Sequence, residues 1–391
     1  MLYLSFILLI FFECLRVYLI MPMLGSQTFN SIDLAYFLGT NKNTIRIVLY
    51  LIILIPFIKI IKGNSIWEKV GLGILSLVYI GIFYAFTFVM EADKMFLQPT
   101  HTYFYKIAEN KIPIDKLVIG VAENGLQKAY PIQLIGYHHQ VRDSIGQIPV
   151  MVTYCTVCRT GRVYSPMVNG KLENFRLVGM DHFNAMFEDA STKSWWRQSN
   201  GECIAGPLKG YKLKEINSEQ LSLQAWFRKY PNAEVLQPDE KFAATFAKMD
   251  TYDKGKSKSD LTKRDTASWQ FKSWVLGISN ADDSKTYDWN FLEKNKIIQD
   301  SLPTLPLLIL LENDSASFHA YNRTINNMTL DFRKINDSII DTYSQSLWNV
   351  DGLCIDGKLK GLSLSPIASY QEYLHSWEYF HPKSIRYSPS K

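Results

Sequence analysis

Long apolar stretches occur only in the first ninety residues of this 391-residue chain. Three of them, at about residues 1–21, 45–62 and 70–90, approach the roughly 20 residues that a helix needs to cross a bilayer. Pro56, inside the second stretch, is tolerable because neighbouring helices can satisfy the carbonyl that proline frees. The pattern predicts a membrane section over residues 1–92 with three transmembrane helices, and the lipid bilayer as a partner.

The loop between the second and third stretches indicates an orientation. It carries Lys59, Lys62 and Lys69, and short cytoplasmic loops are enriched in lysine and arginine. The third helix then runs outward, although Lys42 and Arg46 at the other end of the second stretch are evidence against this orientation. We expect a protein of the bacterial inner (cytoplasmic) membrane whose soluble part lies on the extracytoplasmic side.

After residue 92 the hydrophobic positions fall into short β-branched and aromatic runs. Gly, Pro and Asn interrupt these runs about every eight to twelve residues, which is typical of strands. Partial apolar stripes predict one helix over residues 218–230 and another over residues 367–379. The soluble part is therefore predicted to be α+β, mainly β.

Three blocks of the soluble part recur in the same order. The matches are Leu117–Val121 with Trp274–Ile278, Gly201–Gly210 with Gly352–Gly361, and Asp189, Ser194 and Trp196 with Asp341, Ser346 and Trp348. Ordered internal similarity is the signature of a repeat. It predicts two tandem related β-rich domains, at residues 93–250 and 271–391, joined by a polar linker at residues 251–270.

Cys155 and Cys158 stand at the end of the apolar run Pro149–Tyr154, which is predicted to be a buried strand. Two thiols at this spacing can close a disulfide or bind a soft metal. The matching run of the second copy has Glu312 and Ser315 in their places. Polar replacements indicate an accessible strand end whose chemistry one copy has lost. The alternative is that the two cysteines form a structural disulfide or are two buried thiols without a reaction.

The redox hypothesis makes Cys155 the attacking thiolate and Cys158 the resolving thiol. Arg159 and Arg162 would lower the thiol pKa if they fold back toward the pair. Gly161 and the residues after it predict a turn and a strand, so the helix that follows a thioredoxin-type pair is missing.

Two other functions stay open. A metal module would use Cys155, Cys158, His138, His139 and His182 to bind copper or zinc, because soft sulfur and nitrogen donors suit these ions. A non-catalytic subunit of a larger membrane complex would contact other membrane or periplasmic proteins. The net charge of +5 without a basic run excludes nucleic acid as a partner.

The soluble part resembles the DUF3179 family over residues 95 to 240, and more faintly beyond them. The residues that carry the resemblance are Ala129-Tyr130-Pro131, His138, Val152–Cys155, Cys158, Gly201-Glu202 and Gly206–Leu208. The family has no established activity, but some members resemble selenoproteins with selenocysteine in the Cys pair. The resemblance implies a redox-active site that includes His138, and a thiol–disulfide oxidoreductase of unknown substrate that needs no cofactor. Thr156 and His139 depart from the family pattern, which commonly has a proline and an acid there.

Overall fold

The computed structural model of the protein describes residues 2–281, 283–335 and 338–389. Strands make up 33% and helices 29%, so the prediction of a β-rich fold is confirmed. A π-helical turn covers Ala85–Val89 and a 3-10 turn covers Glu240–Phe242. The α-helices are α1 Leu2–Tyr18, α2 Ile32–Thr40, α3 Lys42–Lys62, α4 Ile66–Tyr84, α5 Ala92–Met95, α6 Ile132–His138, α7 Leu223–Lys229, α8 Ala243–Ala247, α9 Trp289–Asn295 and α10 Leu374–Phe380.

The strands are short and mostly antiparallel. The first fourteen are β1 Phe104–Tyr105, β2 Leu117–Glu123, β3 Leu126–Pro131, β4 Gln140–Ile145, β5 Ile148–Cys155, β6 Thr160–Tyr164, β7 Met167–Val168, β8 Lys171–Leu172, β9 Phe175–Asp181, β10 Asn184–Asp189, β11 Trp195–Arg197, β12 Cys203–Ala205, β13 Glu219–Ser222 and β14 Glu234–Leu236. The others are β15 Trp274–Asn280, β16 Asp283–Asp288, β17 Ile297–Leu302, β18 Leu305–Leu311, β19 Phe318–Asn322, β20 Thr324–Ile325, β21 Met328–Thr329, β22 Phe332–Ile335, β23 Ser338–Asp341, β24 Leu347–Trp348, β25 Cys354–Asp356, β26 Ser365–Pro366, β27 Ser369–Tyr373 and β28 Ile385–Arg386.

The chain divides into two compact units. The first comprises the described residues up to Leu97 together with Val168–Leu213, and we call it the membrane unit only as a label for its two long apolar helices. The second, the β unit, comprises Gln98–Met167 together with the described residues from Lys214 onward. The chain therefore leaves and re-enters the β unit. The two domains predicted from the internal repeat, at residues 93–250 and 271–391, have other bounds than these units and remain a prediction.

In the membrane unit, two of the described helical stretches are long and apolar enough to cross a membrane, instead of the three predicted. They are Lys42–Lys62 and Ile66–Val89, and they are compatible with a membrane anchor. The first predicted span forms only the 17-residue α1. Glu13 in α1 is fully buried, and Arg46 of α3 donates to its two carboxylate oxygens at 2.6 and 2.9 Å.

A four-stranded antiparallel sheet, β12-β11-β10-β9, belongs to the same unit. It is tied to the end of α1 by a hydrogen bond of 2.7 Å from the Met180 N–H to the Ile20 carbonyl. Trp195 of β11 packs edge-on against Tyr36 of α2, with ring centroids 5.2 Å apart. The sheet and the first two helices thus share one apolar core.

The β unit has two halves with the same order of elements. The first half (residues 98–167 and 214–253) contains β2-β3-α6-β4-β5-β6 and then β13-α7, and the second half (residues 254–389) contains β15-β16-α9-β17-β18-β19 and then β27-α10. Trp226 of α7 lies against Gly120 of β2, and Trp377 of α10 lies against Gly277 of β15. Each glycine leaves the space that the indole ring fills.

The two predicted helices begin later than expected. Residues 219–222 form β13 and pair with β2, whereas residues 369–373 form β27 and pair with β15. Helix begins only at Leu223 and Leu374. The apolar side chains before these points face a sheet, and this tertiary pairing overrides the helical pattern.

Candidate functional site

The cysteine pair flanks the tight turn between two buried strands, with Cys155 at the end of β5 and Cys158 in the turn before β6. β5 is buried from Val150 to Cys155 and pairs with β6, which begins at Thr160 opposite Cys155. Arg159 takes a left-handed backbone conformation, φ 57°, that lets the chain reverse. The predicted turn and following strand are confirmed, so the pair does not begin a helix as it does in thioredoxin-type sites.

The side chains of Cys155 and Cys158 are both thiols with no exposed surface. Burial raises the pKa of Cys158 well above its usual range, and the hydrogen bond with Cys155 raises it further. A hydrogen bond between Ser376 and Cys158 lowers the pKa but does not outweigh these two causes. Cys158 is therefore a protonated thiol in this conformation.

The second half of the β unit completes the surroundings of the pair. The Tyr373 N–H donates to the Cys158 carbonyl at 2.9 Å. Ser376 contacts the Thr160 hydroxyl at 3.4 Å and donates to the Glu372 carboxylate at 2.9 Å. A continuous series of polar groups thus runs from Cys158 through Ser376 to Glu372.

Both predicted arginines bind side chains of the second half. Arg159 donates to Gln371 at 2.8 Å and to the Asp253 carbonyl at 3.1 Å, and it lies over the Trp274 ring at 3.8 Å. Arg162 is ion-paired with Glu372 at 2.7 Å. The expectation that these two arginines lower the thiol pKa stays a prediction.

Lys272 is the basic residue beside the thiols, and the sequence did not single it out. Burial lowers the pKa of Lys272, whereas electrostatic attraction to Cys158 and Cys155 opposes this shift. Its ammonium donates to the Leu261 carbonyl. His375, also missed, has a pKa of about 3 because burial and the neighbouring Lys272 both disfavour its charged form. Both residues come from the second half, more than a hundred positions from the motif, where no local pattern marks them.

The predicted histidines have other surroundings. The His138 ring packs edge-on against Phe242 and Phe246, with centroids 5.0 and 5.6 Å apart. His139 ends α6 in a left-handed conformation, φ 61°, and burial lowers its pKa to about 4. His182 belongs to the membrane unit, where its Nδ1 lies 2.5 Å from the Asp181 carboxylate.

The metal hypothesis depended on Cys155, Cys158, His138, His139 and His182 forming one ligand set. Among the residues that the structure describes, no group of three or more His, Cys, Asp or Glu side chains is arranged to hold a metal ion. Aromatic rings pack against His138 and a carboxylate lies against His182, and binding of copper or zinc by the predicted residues stays a prediction.

In the second half the corresponding strand end is also polar. Glu312, which follows β18, accepts two hydrogen bonds from Arg228 at 2.6 and 2.7 Å and lies 2.8 Å from the His319 ring. Lys296 donates to Ser315 at 2.6 Å. Glu312 and Arg228 line a cavity of about 780 Å³. This strand end therefore carries a carboxylate at a cavity, whereas the first carries two enclosed thiols.

Comparison with known proteins gives a family and no function. The family model described as "Protein of unknown function (DUF3179)" matches residues 100–384, so the match extends well beyond residue 240 into the second half. No curated protein and no solved structure matches the chain. Because the matched region covers most of its length, the chain belongs to the DUF3179 family.

Proposed function

We propose that the protein is a membrane-anchored, extracytoplasmic thiol–disulfide redox protein in which Cys155 and Cys158 alternate between dithiol and disulfide. The observation that carries the proposal is the hydrogen bond between the two thiols at one turn, beside Ser376 and Lys272. Closing the disulfide requires the turn to bring the two sulfurs to bonding distance.

The chemical step is thiol–disulfide exchange with a substrate disulfide. The Cys155 thiolate attacks one substrate sulfur, forms a mixed disulfide and releases the other substrate sulfur as a thiolate. Cys158 then loses its proton and attacks the Cys155 sulfur, which releases the second substrate thiolate. The substrate disulfide gains two electrons and the protein dithiol loses two, and the reverse sequence oxidises a substrate dithiol.

The surrounding groups suit the second step, in which Cys158 must lose its proton. Ser376 hydrogen-bonds to this thiol and donates to Glu372, so the two side chains form a path for the proton. The Lys272 ammonium stabilises the thiolate by its charge. A raised resting pKa keeps Cys158 protonated until the mixed disulfide forms.

Burial of the pair limits access to substrate. The Cys158 carbonyl accepts a hydrogen bond from Tyr373, the last residue of β27 before α10, so exchange with a protein or small disulfide requires the turn to separate from this segment. The described state is, in this proposal, the closed and reduced one. Because α10 buries Leu374, Ser376 and Trp377, the opening is a local unfolding that costs free energy.

The location supports the same chemistry. Two apolar helices suit an anchor, and Lys59, Lys62 and Lys69 favour a cytoplasmic loop between them. The β unit then lies outside the cytoplasm of a bacterial cell, where disulfides form and persist. The matching element order of the two halves supports an origin by duplication, with the thiols kept in the first half.

The test is a redox titration of the full-length protein in membranes with glutathione buffers. Alkylation and mass spectrometry would then follow the thiols, with Cys354→Ser as the matched control. We expect a disulfide confined to Cys155 and Cys158, and a trapped mixed disulfide with glutathione in Cys158→Ser. A pair that stays reduced at every potential would overturn the proposal. Stoichiometric copper that is lost in Cys155→Ser would instead support the metal module, and fixed partners with normal function of a Cys-less chain would support the subunit hypothesis.

A further inference from the structure

A second site lies in the membrane unit, away from the thiol chemistry. A cavity of about 270 Å³ is lined by four basic and two acidic side chains: Arg16, Lys42, Arg176, Lys193, Glu91 and Glu188. The lining thus has a surplus of two positive charges. A cavity with such a surplus attracts an anion, because low-dielectric walls strengthen the local field.

Two of the cations are held in place by the acids. Lys42 is ion-paired with Glu91 at 2.9 Å, and Arg176 with Glu188 at 2.8 Å. Glu188 also accepts a hydrogen bond of 3.0 Å from the Trp195 indole N–H. These contacts fix the shape of the cavity before any ligand enters.

Arg16 supplies a donor that the protein itself leaves unused. Its side chain is only 5% exposed, and its two terminal nitrogens bond Glu91 at 3.3 Å and the Phe86 carbonyl at 2.9 Å. The Arg16 Nε is buried and has no hydrogen-bond partner within the described part of the chain. A buried guanidinium N–H without an acceptor is costly, so a ligand oxygen at this place would remove the penalty.

Lys193 supplies a positive charge without a counter-ion among the residues described, whereas the charge of Arg16 is shared with Glu91 at 3.3 Å and Glu13 at 3.4 Å. Lys193 lies in the turn before β11 with a left-handed backbone, φ 61°, and is exposed. None of the acidic side chains that the structure describes forms an ion pair with its ammonium. Arg16 inside the cavity and Lys193 at its edge are therefore both available to one anion.

We propose that this cavity binds a phosphate group, and that the phosphate is carried by the headgroup of an anionic membrane lipid. Guanidinium and ammonium donors are the usual protein ligands of phosphate oxygens. Lys42 begins the first apolar helix and Glu91 follows the end of the second, so the cavity lies at the level of lipid headgroups. The lipid source rests on the proposed membrane anchor and is independent of the redox proposal.

The experiment uses the full chain in nanodiscs that contain phosphatidylcholine with a minor fraction of phosphatidylglycerol. Native mass spectrometry would count the lipids that remain bound, and calorimetry in detergent would measure binding of inorganic phosphate and glycerol 3-phosphate. The test variant is Lys193→Gln, which removes an exposed charge without a partner and leaves folding intact. The matched control is Lys94→Gln, an exposed lysine of the same unit that does not line the cavity.

We expect about one retained phosphatidylglycerol per chain and a roughly tenfold weaker affinity in Lys193→Gln, the size of one charged contact. Lys94→Gln should match the unaltered chain. Binding of glycerol 3-phosphate or inorganic phosphate without retained lipid would support the phosphate site and assign it to a free ligand. Equal retention of both lipids with no phosphate binding, or an equal effect of the two variants, would overturn the proposal.

Discussion

Arg162 and Glu372 form an ion pair, with Nη2 and Oε1 2.7 Å apart, that joins the two halves of the β unit. Their side chains are only 3% and 1% exposed. The guanidinium also lies over the Tyr370 ring, 3.2 Å from its centroid. Because β6 begins directly after the cysteine turn and Glu372 accepts from Ser376, this pair holds the second half against the thiols.

Glu372→Gln should destabilise the protein by about 3 kcal/mol, at the lower end of the cost of breaking a buried ion pair, because it removes the nearer counter-ion of Arg162 and leaves Glu215 at 3.5 Å. Chemical denaturation of the full chain, followed by tryptophan fluorescence, measures the change. Glu378→Gln is the control, since its ion pair with Arg386 is exposed and should contribute less than about 1 kcal/mol. Equal losses in the two variants would contradict the assignment.

Ser376→Ala should make Cys158 less reactive. The Ser376 hydroxyl lowers the pKa of Cys158, so its removal leaves burial and the Cys155 hydrogen bond unopposed and raises the pKa further. The rate of alkylation of Cys158 at pH 8, read by mass spectrometry, should fall, whereas exposed Ser365→Ala should leave it unchanged. Faster alkylation would indicate that the variant opens α10 instead.

Lys272→Met should slow the reaction of both thiols with a disulfide reagent, by roughly three- to tenfold at pH 8. The substitution removes the positive charge that favours the thiolates but keeps a side chain of similar length. Stopped-flow mixing with a chromogenic disulfide gives the rate. Lys358→Met, an exposed lysine of the same half, is the control. An unchanged rate in Lys272→Met would remove this residue from the site.

The free energy of unfolding should depend on pH through the ionisation of Glu312. Burial alone would raise its pKa, but the hydrogen bonds from His319 and Arg228 outweigh burial and lower it from 4.5 to about 2. A depressed folded-state pKa stabilises the protein above the unfolded pKa, and this contribution is lost as the pH falls from 4.5 toward 2. We expect Glu312→Gln to cost about 3 kcal/mol at pH 7 and progressively less below pH 4.5. A cost that is independent of pH would contradict this linkage.

Gly277→Ala should destabilise the second half by about 3 kcal/mol, at the upper end of overpacking costs. A Cβ at this position would lie 2.1 Å from the Trp377 ring, so the ring or the strand must move. In a Trp377→Leu background the same change should cost less than about 1 kcal/mol, because the smaller leucine side chain leaves room for the added methyl group. Gly73→Ala, with open space around the position, is the control and should be neutral. Similar costs in both backgrounds would contradict the packing argument.

The strand and turn that carry the two cysteines could be predicted from the sequence. The second-half side chains that surround the cysteines could not. The apolar run before Cys155 and the glycine after it predicted the strand and the turn, because both depend on neighbouring residues. Gln371, Glu372 and Ser376 lie more than two hundred positions from the residues they contact, so no spacing could place them there. The surroundings of His138 were unpredictable for a related reason, because the aromatic rings that pack against it come from residues 242 and 246.

The Tyr373–Cys158 hydrogen bond links the second half of the β unit directly to the cysteine turn of the first half. A fragment cut after Asp253 would keep Cys155 and Cys158 but lose the second-half side chains that surround Arg162 and Cys158. It would expose to water the Arg162 charge and the two thiols, which the whole protein encloses. A substitution at Glu372 or Ser376 would therefore change the surroundings of thiols that lie more than two hundred positions earlier in the chain. The second half lacks the Cys pair, yet its side chains enclose the pair of the first half.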